Sequence, residues 1–312
     1  MKIVFMDVKT LGEDLNYTAF DSLGDVVKYD FTSVEEMPER IKDATVIITN
    51  KALVNEQTIG NATDVKLVCS TGTGTNHIDK EYLKSKGIEW RNVVDYCTDS
   101  VAQHTFALLF SLAGKIHFYD SYVKGESYVN DTKFTHFTEH FHEISGKTWG
   151  IIGLGNIGRR VADLAKAFGA KVIYYSTTGF NHQPNYDRVD LDTLLSTSDI
   201  ISIHAPLTEQ TKKLMNKEAF SKMKSNAIFI NVGRGAIVDE YALAEALNKN
   251  QIAAAGIDVL SIEPMSPDNP LLSIKDSNRL LITPHIAWAS VEARTRMLDT
   301  VYQQIKEFKE TN

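Results

Sequence analysis

Short apolar runs separated by helical stretches set the rhythm of the first part of the chain. KIVFMDV from Lys2, DVVKYD from Asp25, ATVIITN from Ala44 and VKLVCS from Val65 each read as a β-strand. Runs that are apolar throughout belong to strands covered on both faces, and strands interleaved with helices imply parallel βαβ units. Ser33 followed by Glu36 has the pattern of a capping box opening a short helix. A longer helix is predicted from about Asp99 to Phe118. Thr98 or Asp99 can cap it, and Val101, Thr105, Leu108, Leu109 and Leu112 fall on one face. A second alternating series starts at Thr148, with strands at TWGIIG, KVIYYS, DIISIH, AIFINV, AAAGID and LLIT, and a helical pattern from about Ser290 to Lys309 closes the chain. The predicted fold class is α/β, with parallel sheets.

Between the two series, from about Tyr119 to Lys147, lies a polar, aromatic stretch carrying Tyr122, Tyr128, Phe134, Phe137 and Phe141. Its histidines, His136, His140 and His142, have no carboxylate or cysteine at convincing metal-ligand spacing, so a loop or interface surface is expected and no metal site.

A length of 312 residues suits two domains. Thirty-three basic against forty acidic side chains leave a net charge of −7, which argues against a nucleic-acid partner. No apolar run approaches the ~18–20 residues that span a bilayer, and Asp7 interrupts the start where a signal peptide would be continuously apolar. The two cysteines, Cys69 and Cys97, have neither metal-like nor redox-like spacing, and buried inert thiols are expected. These features point to a cytoplasmic protein without a membrane partner.

Residues 150–158 contain G-x-G-x-x-G at Gly153, Gly155 and Gly158. One glycine makes the tight turn, one lets the backbone approach a pyrophosphate, and one lets helix pack on strand. A strand precedes the turn, a helix from Asn156 through Ala167 follows, and another strand comes next, as a dinucleotide site requires. At the end of that next strand, where an acidic residue would hold the adenosine ribose, stands Ser176, followed by Thr177. The missing carboxylate removes the repulsion that excludes a 2′-phosphate. No Arg or Lys follows at once, and only His182 lies nearby.

Downstream, Arg234 follows AIFINV, Glu263 follows AAAGIDVL and His285 follows LLIT. Ligands of open α/β sheets sit outside the carboxyl ends of the strands, where all three could converge. Together with GLGNIG, HAPLTEQT (His204 to Thr211), NVGRGAIVDE, GIDVLSIEP and TPHIAWAS, these residues resemble the D-isomer-specific 2-hydroxyacid dehydrogenase family along essentially the whole chain. Ser-Val-Ala-Gln-His (100–104), YYSTTG and HIAWAS resemble its glycerate dehydrogenase (hydroxypyruvate reductase) branch most closely.

The resemblance implies that Arg234, Glu263 and His285 are catalytic, and that the enzyme moves a hydride between a nicotinamide cofactor and a small 2-keto or 2-hydroxy acid. Hydroxypyruvate/D-glycerate and glyoxylate/glycolate are the expected pairs. Histidine suits the proton transfer because its ordinary pKa lies near 6.5. Glu263 would orient His285 and favour its charged form. Arg234 would bind the substrate carboxylate with its forked donors.

Cofactor contacts are implied at Gly153, Gly155, Asn156, Ile157, Gly158, Ser176 and Thr177. Further ones are implied at His204, Ala205, Pro206, Thr211, Val232, Gly233 and His285, and at Asp258 as a nicotinamide-facing carboxylate. NAD(H) is the favoured cofactor, with NADP(H) left open by Ser176. Substrate contacts are implied at Asn50 and at the amides of Gly72, Thr73 and Gly74. Trp288 would wall a pocket for a small acid, the competing reading being a core or interface tryptophan.

The loop departs from the commoner family pattern in Asn76-His77, and Gln103 replaces a more usual Glu. The resemblance also implies two Rossmann-like domains. The substrate domain is flavodoxin-like and discontinuous (1–98 plus 287–312), the doubly wound cofactor domain spans 99–286, and hinged closure operates between them. The aromatic arm matches the region where the family builds a homodimer. A dinucleotide-sensing corepressor and a formate- or phosphite-type dehydrogenase are the alternatives on this fold. The absence of an added basic or disordered tail speaks against the first, and of distinctive substitutions against the second.

Overall fold

The computed structural model describes residues 1–180 and 182–311. The chain divides into two compact units, Met1–Cys97 with Trp288–Asn312, and Thr98–Ala287. No helix among the described residues is long and apolar enough to cross a membrane.

The first unit is built on five strands: β1 (Lys2–Phe5), β2 (Asp25–Lys28), β3 (Val46–Thr49), β4 (Leu67–Ser70) and β5 (Glu89–Arg91). All pair in parallel, in the order β2-β1-β3-β4-β5 of flavodoxin-like sheets. The inner strands β1, β3 and β4 are buried almost throughout, which is why their sequences are apolar without alternation. Val4, Met6, Ile47 and Val68 pack with Met37, Ile41, Ile59 and Leu83 in one core, each such buried side chain stabilising the fold by ~1.5–3 kcal/mol. The capping box forms, with Glu36 N–H donating to Ser33 Oγ (3.3 Å) and Ser33 N–H to Glu36 Oε2 (3.0 Å), and it opens the four-residue helix Met37–Arg40.

The second unit holds seven parallel strands: β6 (Thr148–Ile152), β7 (Lys171–Tyr175), β8 (Asp187–Arg188), β9 (Ile200–Ile203), β10 (Ile228–Asn231), β11 (Ala254–Ile257) and β12 (Leu280–Ile282). Their order, β12-β11-β10-β9-β6-β7-β8, reverses direction between β6 and β9, the switch point at which such sheets bind ligands. Trp149 on β6 is wholly buried, its ring 4.9 Å from Phe106, while Phe220 and Phe229 meet edge-to-face at 5.4 Å.

Two expectations change. The helix predicted to reach Phe118 ends at Ala113, and a second one, Ile116–Lys124, follows. The break falls where Lys115 takes a left-handed φ of 53°, a conformation no helix interior tolerates. Strands β5 and β8 are additional: they lie at sheet edges, are only two or three residues long and carry almost no apolar signal. In the arm after Lys124 one 3₁₀ turn is the only regular element, and Phe134, Phe137 and Phe141 are exposed. His136 stacks on Tyr122 with ring centroids 3.8 Å apart and reaches Asp131 at 3.2 Å. No cluster of three or more metal-ligating side chains exists among the described residues.

Candidate active site

Strands β10, β11 and β12 are neighbours, and Arg234, Glu263 and His285 follow their carboxyl ends in turn. Asn231 pins the first loop: its side chain donates to Arg234 O (3.1 Å) and accepts from Gly233 N–H (3.1 Å). Arg234 is half-buried and donates to Gly233 O. At Gly235 a Cβ would fall 1.9 Å from the carbonyl carbon of Leu260, so only glycine lets the Arg234 loop lie against the loop that carries Glu263.

Glu263 is held at both oxygens. Oε1 accepts from Leu260 N–H at 2.8 Å, and Oε2 lies 2.7 Å from His285 Nδ1. His285 has a φ of 56°, unusual for a residue with a Cβ and of the kind that persists only when the surroundings enforce it. Here they do. His285 N–H donates to Asp258 O (2.8 Å), and the Asp258 carboxylate accepts from the amides of Ile286 and Ala287, both at 2.9 Å. Thr283 donates its hydroxyl proton to the same carboxylate at 2.6 Å, so Thr283 Oγ1, 2.9 Å from His104 Nε2, accepts from that ring. Burial alone would raise the Asp258 pKa. Hydrogen bonds from His104, Thr283, Ala287 and Ile286 outweigh that and hold it below the usual carboxylate value. The Asp258 carboxylate, expected to face the nicotinamide, is turned onto the loop after β12 and has no exposed side-chain surface.

The glycine turn meets each demand of a pyrophosphate cradle. Gly153 has a φ of 90°, and its Cβ would lie 2.8 Å from Ala205 Cα; a Cβ on Gly158 would meet Gly153 O at 2.3 Å. At Gly155 nothing lies within 4 Å of the same position, so the backbone there is open to a ligand, and the helix beginning at Asn156 and Ile157 follows at once. The residues present fit a dinucleotide.

Other expected cofactor residues are placed around this turn. Ser202 Oγ accepts from the Trp149 indole (2.9 Å) and lies 2.9 Å from His204 Nε2. An indole can only donate, so one lone pair of the serine oxygen is taken by Trp149, and its proton and second lone pair face His204. His204 Nδ1 is buried with no partner among the described residues, and burial pushes the His204 pKa down to about 3. Thr211 turns inward, donating to Pro206 O (2.8 Å) and accepting from Thr208 N–H (2.7 Å). Val232 is buried, Gly233 sits against Ala205 O, Ser176 is buried and Thr177 half-buried.

The first unit gathers its own set. The Asp7 carboxylate accepts from the amides of Asn50 (2.9 Å), Lys51 (2.6 Å) and Ala52 (3.0 Å), fixing the loop after β3. Asn50 Nδ2 donates to Thr10 Oγ1, and a Cβ on Gly72 would stand 3.9 Å from Asn50 Oδ1 and from the Tyr96 hydroxyl. Thr73 is anchored through its hydroxyl to Val93 O and through its carbonyl to Asn92; Gly74 is half-buried beside it. Trp288 meets Tyr96 edge-on at 6.4 Å. His77 accepts from Val54 N–H through its carbonyl, while its Nε2 is buried with no partner among the described residues. Burial, helped by Lys51, pushes the His77 pKa down to about 4. Asp7, Tyr96 and His104 are given no place in the site by the sequence, Asp7 entering only as a break in the apolar start and His104 only as the last residue of Ser-Val-Ala-Gln-His. Asp7 stands at a strand end, the only hint it offers.

The model of the D-isomer specific 2-hydroxyacid dehydrogenase NAD binding domain matches residues 106–287. The chain belongs to that family. It is therefore an NAD(P)-dependent oxidoreductase of the 2-hydroxyacid dehydrogenases, and its curated relatives include a hydroxypyruvate reductase and a glycerate dehydrogenase. A hydroxypyruvate reductase of Blautia hydrogenotrophica is 37% identical over 99% of this chain and 97% of its own. A glycerate dehydrogenase of Methylorubrum extorquens is 36% identical over 98% and 96%. Among solved structures, the D-lactate dehydrogenase of Aquifex aeolicus with NAD and lactic acid superposes with a TM-score of 0.86 at 29% identity, over 99% of this chain and 96% of that one.

Proposed function

We propose that this 2-hydroxyacid dehydrogenase reduces small 2-keto acids, hydroxypyruvate to D-glycerate first and glyoxylate to glycolate second. The names of the relatives support the substrates. The 2.7 Å contact between His285 Nδ1 and Glu263 carries the chemistry. A carboxylate at Nδ1 keeps a proton there and leaves Nε2 as the nitrogen that gives and takes one. In reduction, His285 Nε2 protonates the carbonyl oxygen; in oxidation it removes the hydroxyl proton. Arg234 takes the substrate carboxylate and polarises the carbonyl. A bound nicotinamide dinucleotide, its pyrophosphate held at Gly155, Asn156 and Ile157, would supply or accept the hydride. Asn50, the amides of Gly72, Thr73 and Gly74, and Trp288 are the substrate-binding residues of the unit formed by the chain termini. Asp258 acts by fixing the His285 loop.

The exposed aromatic arm is proposed as a homodimer contact, for which a monomeric mass in sedimentation would be contrary evidence, and the protein is proposed to be cytoplasmic. The function is tested by oxidation of NADH and NADPH with hydroxypyruvate. Turnover is expected, and His285→Ala should lower kcat by roughly 10²–10⁴ with cofactor binding intact. A near-normal His285→Ala would remove the assignment. Cofactor binding without turnover on any 2-keto acid would favour a sensing protein.

A further inference from the structure

We propose that Arg188 makes the adenosine end of the cofactor site a 2′-phosphate site, so that NADPH and NADP⁺ are bound in preference to NADH and NAD⁺. This rests on the reading of residues 98–287 as a dinucleotide-binding unit, and it turns the expected preference for NAD(H) around.

An NAD-specific site holds the ribose diol with a carboxylate at the end of the second strand. Here that position is Ser176, buried and with no hydrogen-bond partner for its hydroxyl among the described residues. The chain then turns tightly, Gly179 N–H donating to Ser176 O at 3.3 Å with Gly179 at a φ of 75°. No cation follows in sequence, but the sheet brings one. Strand β8 pairs with β7, Tyr174 opposite Arg188, and Val189 N–H donates to Tyr174 O at 2.9 Å. Arg188 thus stands at the carboxyl end of the edge strand, the end where ligands of parallel sheets bind. Its Nη2 lies 3.9 Å from where a Cβ of Gly179 would be, against the Ser176–Gly179 turn.

The surroundings leave this charge available. Arg188 is exposed and has no ion-pair partner among the described residues. Asp187, its neighbour on the strand, projects to the opposite face. Asp163 is engaged by the Tyr186 hydroxyl, and Asp190 caps the helix Leu191–Thr197 through Thr193. A guanidinium against the turn at Gly179, with no carboxylate at the strand end, suits a dianionic phosphate. Its planar fork can take two phosphate oxygens at once.

The test is direct titration of the protein with NADH and NADPH, followed by nicotinamide fluorescence with no keto acid present. The wild type is expected to bind NADPH at least about tenfold more tightly, with the advantage shrinking as salt is raised. Arg188→Ala should bring the two affinities together by weakening NADPH alone, and Arg188→Lys should restore part of the difference. Equal affinities in the wild type, or a preference that survives Arg188→Ala, would overturn the inference while leaving the dinucleotide site standing. Failure to bind either dinucleotide would overturn the reading beneath it as well.

Discussion

The two units solve one problem with the same device and different reinforcement. In each, an aspartate just past a strand buries its carboxylate against backbone amides of the loop after the neighbouring strand. Asp7 follows β1 and holds residues 50–52 after β3; Asp258 follows β11 and holds residues 286 and 287 after β12. Asp7 does this with three amides. Asp258 uses two, and adds a hydroxyl and a histidine. The loop at Asn50 needs only a position. The loop at His285 must also keep a side chain in a left-handed backbone, the side chain proposed to trade protons, and the additional donors surround the carboxylate that enforces it. A buried carboxylate with several donors is costly to disturb, because each amide left unpaired carries a desolvation penalty of ~1–3 kcal/mol.

The largest separation between the units is expected in catalysis. Asp258→Asn replaces one acceptor oxygen by a donor facing amides, and the His285 loop should shift. The expected result is a loss of kcat on the order of 10²-fold with KM little changed, since displacements of about an ångström cost that much. An unchanged kcat would mean that the His285 loop supports itself. The matching substitution Asp7→Asn should leave kcat nearly intact, raise KM for the keto acid several-fold, and lower stability by about 1–3 kcal/mol in denaturant unfolding. If Asp7→Asn instead abolished kcat, the division of labour between the units would be wrong.

A subtler comparison concerns acid. Each unit shelters a neutral imidazole, His77 with its pKa pushed down to about 4 and His204 to about 3. In the unfolded chain both titrate near 6.5. Because the folded values are depressed, their stabilising contribution is complete above about pH 6.5. It is lost as pH falls through that value toward the folded ones, the unfolded state binding protons first. Stability measured from pH 7 to pH 4 should therefore decline, and His77→Gln should flatten part of the slope. A His77→Gln profile parallel to the wild type would show that the ring takes up its proton as readily in the folded protein.

Much of this was readable because it is local. Apolar runs announced the central strands, the glycine turn carries its spacing in six consecutive residues, and the helix from Asn156 to Ala167 is a single run of 12. What escaped is non-local or weakly encoded. Asp7 and Asp258 bond to amides 43–45 and 28–29 residues away, and nothing beside them in sequence announces it. Strand β8 is two polar residues long, yet it alone brings Arg188 to the end of β7. The helix break at Lys115 lies in a stretch whose apolar periodicity continues unbroken, so the pattern overran it.

The hydrogen bond from Trp149 to Ser202 has an optical consequence. Of the three tryptophans, Trp90 and Trp288 belong to the unit formed by the chain termini and Trp149 alone to the other. An indole walled off from water, its N–H already engaged by a serine, should emit toward the blue and resist aqueous quenchers. Replacing Trp90 and Trp288 with phenylalanine would leave a protein whose ultraviolet emission reports on the nucleotide half by itself, a private lamp beside the residues meant to receive the coenzyme.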